Sequence, residues 1–159
     1  MNRLLLPLQR ALLRLLYLAD RVRNRLFKPV TLGARVILIR DGKVLLVRHS
    51  YMPGWYLPGG GVKRHEGFAA AAIREAREEV GAQIRSMRLH GLYLNLSEDK
   101  VDHVAVYSST DFDYRPIVAA EIAESRWCDP GDLPRDTARG TAARIREHFA
   151  GGVPHHGDW

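Results

Sequence analysis

Three glutamates crowd the segment Arg74–Gly81, which reads REAREEVG. On a helix of 3.6 residues per turn, Glu75, Glu78 and Glu79 fall within about 100° of one another. Glu75 and Glu79 are four residues apart, where like charges repel. All three stand toward the helix C-terminus, where the backbone dipole is already negative. A hard divalent cation such as Mg²⁺ would resolve both conflicts, because it takes carboxylate oxygens and then dominates the local field. The plainer alternative is a solvated acidic face with Arg74 and Arg77 as local partners.

The elements that must carry this cluster can be read around it. The apolar face Ala69, Ile73, Ala76 and Val80 predicts a helix over 66–80, ended by Gly81. Upstream, TLGARVILIR and KVLLVRHS read as two strands joined by the Asp41-Gly42 turn, and YMPGWYLPGGG reads as a loop. Downstream, RSMRLHGLYLNLS and VDHVAVYSSTDF alternate as antiparallel strands, ESRWCD as a short one, and TARGTAARIREHF closes as a helix despite Gly140. Strands mixed with a few helices, without regular βαβ alternation, predict an α+β or mixed-sheet sandwich.

The flanks of the cluster sharpen the reading. Gly60, five residues, Glu66, seven residues and then Arg74-Glu75-Ala76-Arg77-Glu78-Glu79-Val80-Gly81-Ala82 fill every fixed position of the Nudix box. Ala76 and Ala82 stand where bulkier apolar residues are usual. The chain therefore resembles the Nudix hydrolase family, in the order of its elements over 31–150 and in motif over 54–82. The resemblance implies an α/β/α sandwich around a mixed β-sheet, here with an extra N-terminal amphipathic helix. It implies Mg²⁺ (or Mn²⁺) and attack of water on phosphorus in the pyrophosphate linkage of a nucleoside di- or triphosphate derivative. It makes Glu75, Glu78 and Glu79 metal-binding, Arg74 and Glu66 the residues that orient them, and Gly60 and Gly81 the loop glycines. A further acidic ligand is often drawn from downstream in the family; Glu121 is the first candidate and Glu124 the second.

Substrate contacts are weaker readings. Arg48, at the end of a strand near the glycine loop, could hold a phosphate, and Tyr51 or Trp55 could stack on a base, with core packing the alternative for Trp55. His49, His65, His90 and His103 show no metal-ligand spacing, and Cys128 reads as a small buried hydrophobe. Two functional alternatives stay open: a non-hydrolytic nucleotide sensor and an RNA 5′-pyrophosphohydrolase. The complete set of glutamates weighs against the first.

Charge weighs against the second. The net charge is +6, and residues 1–28 alone hold seven basic side chains against Asp20, leaving 29–159 neutral. Extended RNA contacts need many cations, so the expected partner of the main domain is a small nucleotide. Residues 3–27 have helical period, with Arg3, Arg10, Arg14, Arg21 and Arg25 on one stripe and Leu5, Leu8, Leu12, Leu15, Leu16, Val22 and Leu26 opposite. Arg23 is the exception. This segment is too interrupted to span a bilayer and makes a poor secretory signal. Its leucines would pack on the domain or across a homodimer, leaving the arginines in water, or lie on an anionic membrane. The single cysteine points away from an oxidising compartment, giving a cytoplasmic expectation with membrane association open. The expected division is a helix over 1–29, a catalytic domain over 30–150 and a mobile tail over 151–159.

Overall fold

The computed structural model describes residues 5–27, 29–96, 101–152 and 155–159. The first helix, α1, spans Leu5–Phe27. Seven strands follow: β1 Val30–Arg40, β2 Lys43–His49, β3 Gly59–Gly61, β4 Ala82–Asn95, β5 Val101–Tyr114, β6 Ile122–Cys128 and β7 His155–Asp158. Helix α2, Phe68–Val80, lies between β3 and β4, and α3, Arg139–Ala150, precedes β7.

The strands form one mixed sheet in the order β6-β2-β1-β5-β4-β7, with β3 paired to β1. The β1–β5 and β4–β7 pairs are parallel and the rest antiparallel. Asp41 and Gly42 turn β1 into β2 with φ of 52° and 72°, the doubly positive turn that matches strand twist.

Alternation along β1 and β2 divides the core into two layers. Val36, Leu38, Leu45 and Val47 pack with Ala76 and Val80 of α2. Ile37, Val44 and Leu46 pack on the other face with Trp55, Leu57 and Ile145 of α3. Helices on both faces of a mixed sheet make the expected α/β/α sandwich, with α1 as the addition.

Two expectations are corrected. The tail is not wholly mobile: β7 pairs with β4, Trp159 donates its backbone N–H to the Leu94 carbonyl at 2.9 Å, and its ring meets Tyr93 edge-on at 6.1 Å. Three polar residues and a glycine gave no strand pattern; backbone pairing and one aromatic anchor hold them. Gly140, which looked like a flaw in α3, seats that anchor, since a Cβ there would lie 2.1 Å from the Trp159 indole nitrogen. The glycine stretch read as loop contains β3, whose carbon-light backbone lies directly against β1.

Helix α1 inverts the packing expected of it. Arg14 Nε donates to the Ser50 carbonyl at 3.1 Å and Arg10 Nη2 to that of Ile122 at 3.5 Å, while Leu8, Leu12, Leu15, Leu16, Val22 and Leu26 are each more than half exposed. Among the described residues these six side chains find no cover on the domain, whereas Leu6 and Leu13 are half-buried. Arg3 and Lys28 lie outside the described residues.

Candidate active site

The turn after β3 and the outer face of α2 build one charge network. Helix α2 starts at Phe68, two residues later than the periodicity predicted, so Glu66 belongs to the turn and not to the helix. That turn folds the Glu66 carboxylate back: it accepts the Lys63 backbone N–H at 2.9 Å and two N–H groups of Arg74, each at 2.8 Å. The forked guanidinium suits this two-point pairing. The Arg74 hydrogen bond, with the Lys63 N–H behind it, holds Glu66 well below the usual carboxylate range, at about 2. The same contact pushes Arg74 up, so it stays charged.

Arg74 then distributes its remaining donors. It bonds to Glu75, to Glu78 at 3.3 Å and to the Gly61 carbonyl at 3.0 Å. This eases the like-charge problem of REAREEVG locally for two of its three glutamates: one guanidinium touches Glu75 and Glu78 as well as Glu66, and leaves Glu79 aside. Gly60 makes room for the arrangement, because a Cβ there would stand 2.6 Å from the Glu75 carboxylate. At the far end Gly81, in the left-handed region with φ 73°, closes α2 and faces the Arg115 carbonyl, 2.0 Å from where a Cβ would be.

Glu79 is different. It is 5% exposed and accepts the Gly59 N–H at 2.8 Å. Burial drives its pKa up to about 8, with Glu75 and Glu121 pushing the same way and the Gly59 N–H and Arg35 pulling against them. His49 Nδ1 stands 3.9 Å from Glu79, buried and without a hydrogen bond. Burial and the Arg35 charge lower His49 to about 4, so this contact is not an ion pair near neutral pH.

Glu121, on the approach to β6, is brought to the cluster. It lines a cavity of about 430 Å³ together with Lys63, Arg74, Glu75, Glu78 and Glu79. Burial and then the Glu75 and Glu78 charges raise its pKa. Glu124 goes elsewhere, paired with Arg126 at 2.7 Å on the exposed strand. Four carboxylates without thiol or imidazole in the lining are a donor set for a hard divalent cation. Among the described residues no three His, Cys, Asp or Glu donors converge at coordination distance; Arg74 draws Glu75 and Glu78 toward itself. The chemistry of the donors fits Mg²⁺, and their mutual repulsion gives the cation a purpose.

The substrate-contact readings fare differently. Trp55 is fully buried, with the Arg48 and Arg126 guanidiniums each 4.8 Å from its ring centre. Arg48 also reaches Asp136 at 3.6 Å. Both therefore stand on the α3 side of β2, and neither lines the carboxylate cleft. Tyr51 lies near the cluster but packs between His49 and Tyr17 of α1, at ring separations of 5.1 and 5.5 Å. Burial and the Glu121 and Glu79 charges raise its pKa.

Sequence reasoning missed Arg35 and Trp159. They line a second cavity of about 430 Å³ with His49, Tyr56, Asn95, Asp102 and Arg139. Arg35 and His49 tie this cavity to Glu79 through the electrostatic coupling just described. The available signal was an arginine inside the apolar strand GARVILI. A larger cavity, about 660 Å³, surrounds His90, His148 and His155 and shares no residue with the carboxylates.

Comparison with known proteins agrees with this geometry. The NUDIX domain pattern matches residues 29–149. A Streptomyces rubellomurinus protein named CMP-5′-(N-acetyl-N-hydroxy-3-aminopropyl)phosphonate hydrolase is 32% identical over 114 residues, 67% of this chain and 53% of its own length. A Bacillus subtilis protein provisionally named an 8-oxo-dGTP diphosphatase is 32% identical over 105 residues, 65% of this chain and 70% of its own. The crystal structure of a MutT NUDIX hydrolase from Burkholderia pseudomallei superposes with a TM-score of 0.68 at 25% identity, covering 74% of this chain and 97% of that one. The chain thus spans about half the length of the first of these relatives. Fold, box and match together establish that the chain belongs to the NUDIX family.

Proposed function

We propose that the chain is a Mg²⁺-dependent hydrolase that cleaves a pyrophosphate linkage in a nucleoside di- or triphosphate derivative by attack of water on phosphorus. The observation that carries the reading is the meeting of Glu121 with Glu75, Glu78 and Glu79 in one cleft. Glu75, Glu78, Glu79 and Glu121 would hold the cation; when bound, it supplies charge neutralisation of the phosphate oxygens and a lowered pKa for water. Arg74, anchored by Glu66, orients Glu75 and Glu78 by donating to both carboxylates. The Gly59 N–H fixes the direction of Glu79.

The second cavity suits the rest of a nucleotide. Arg35 and Arg139 offer cations to phosphate, and Trp159 offers an aromatic face beside polar groups that can read a base or sugar. The two curated relatives described above are both named for nucleoside phosphate substrates, which supports that class without choosing within it. A nucleotide substrate and a lone buried cysteine, Cys128, both suit the cytoplasm.

The test is a panel of nucleoside triphosphates, oxidised nucleotides and diphosphate conjugates offered to the full chain with Mg²⁺ or with chelator. Phosphate and pyrophosphate are read separately. Turnover of at least one member only with divalent metal is expected. Tight nucleotide binding with no turnover across the panel would instead favour the sensor reading.

A further inference from the structure

We propose that α1 is a docking helix for an anionic lipid surface. Only a narrow stripe of it meets the domain: Leu6, Arg10, Leu13, Tyr17 and Asp20 are half-buried, at the spacing of one helix face. The opposite face carries Leu8, Leu12, Leu15, Val22 and Leu26, which are 56–73% exposed. Among the described residues, an apolar stripe over most of a 23-residue helix finds no cover in its own domain, and burial of such a stripe is what gives an amphipathic helix its stability. No described helix is long and apolar enough to cross a membrane, so the fitting geometry is to lie in the interface.

Charge selects the occupant. Residues 1–28 hold the whole net charge of the chain, +6. A second copy seated on this face would bring two such segments together and repel. An anionic bilayer attracts it, and each arginine near the surface strengthens binding by about fivefold. The arginines are placed for this. Arg21 and Arg25 are exposed on the flank between the apolar face and the domain, at the level a headgroup layer would occupy. Arg10 and Arg14, on the same flank, tie the helix to Ile122 and Ser50. These anchor points adjoin Glu121 and Tyr51, so docking holds the carboxylate cleft beside the lipid surface.

The experiment is co-sedimentation of the full chain with phosphatidylcholine vesicles, with or without phosphatidylglycerol, at low and high salt. Expected is capture by the phosphatidylglycerol vesicles at low salt, at least ~10-fold weaker on phosphatidylcholine alone and weakened by salt. The Leu12→Gln, Leu15→Gln, Val22→Gln variant should lose at least ~10-fold of this binding while turning over a dissolved substrate at the wild-type rate. Arg21→Glu with Arg25→Glu should lose as much through charge alone, and carries the test if the glutamine variant misfolds. Failure of the full chain to bind anionic vesicles overturns the proposal. So does equal binding to both vesicle types. A dimer in sedimentation equilibrium that the glutamine variant returns to monomer, with no vesicle capture, assigns the face to a second copy instead.

Discussion

Arg74 does at residue scale what a cation would otherwise have to do alone, since it contacts Glu66, Glu75 and Glu78. Glu66 acts through it, and pH reveals the link. The folded pKa of Glu66 lies below its ordinary value of 4.5, at about 2, so its contribution is present above 4.5 and lost as pH falls toward 2. The gap in melting temperature between wild type and Glu66→Gln should therefore narrow on acidification from pH 6 to pH 3; a gap constant over that range would show that Arg74 gains nothing from the charge of Glu66. Glu79 has the opposite sign. Its folded pKa is raised to about 8, so relative stability is full below the ordinary carboxylate value and lost as pH rises through 8. In chelator at pH 9, Glu79→Gln should melt higher than wild type, and added Mg²⁺ should stabilise it less. An equal Mg²⁺ shift in both proteins would remove Glu79 from the metal site. The shared face of Glu75, Glu78 and Glu79 was legible because helix period converts local spacing into position, whereas the roles expected of Glu66 and Arg74 came from the resemblance to the Nudix box. Arg35 could not, because its relation to Glu79 depends on β1 pairing with β3 across residues distant in sequence.

At element scale, α3 and β7 depend on one exchange of volumes. Glycine inside a helix ordinarily costs about 1 kcal/mol relative to alanine. Here Gly140 leaves the space that Trp159 fills. Gly140→Ala should thus lower the melting temperature in the intact chain, against the usual sign. In a Trp159→Ala background the same substitution should raise it, and a double-mutant cycle by thermal denaturation measures the coupling. Additive effects would mean that the indole does not rest on Gly140. Strands β1, β2, β4, β5 and β6 and helices α2 and α3 were legible from alternation and period, with ends misplaced by a few residues. Strand β3 was hidden by glycines that carry no pattern, and β7 by three polar residues and a glycine whose place is set by the edge of β4 and by Trp159. The periodicity of α1 was legible too, but not which face meets the domain. Arginine-to-carbonyl hydrogen bonds settle that, and helical period carries no information about them.

The whole molecule separates two charge regimes: a neutral sandwich and a strongly basic helix lying beside its cleft. Overall pI therefore misleads about the substrate, because the excess cations stand outside the cavity that gathers carboxylates. The sandwich brings α2 and the approach to β6 together, although they are some forty residues apart in sequence, and the proposed chemistry rests on that meeting. Glu78 is the sharpest probe of it: its side chain is about half exposed, at 48%, so replacing its charge should disturb the site and spare the fold. The most direct measurement is the kcat of wild type and Glu78→Gln in Mg²⁺, on the best substrate of the nucleotide panel, with melting temperatures taken alongside. A fall of at least ~100-fold with the melting temperature nearly unchanged is the predicted result, and turnover by Glu78→Gln at the wild-type rate would contradict the assignment of this cleft as the catalytic centre.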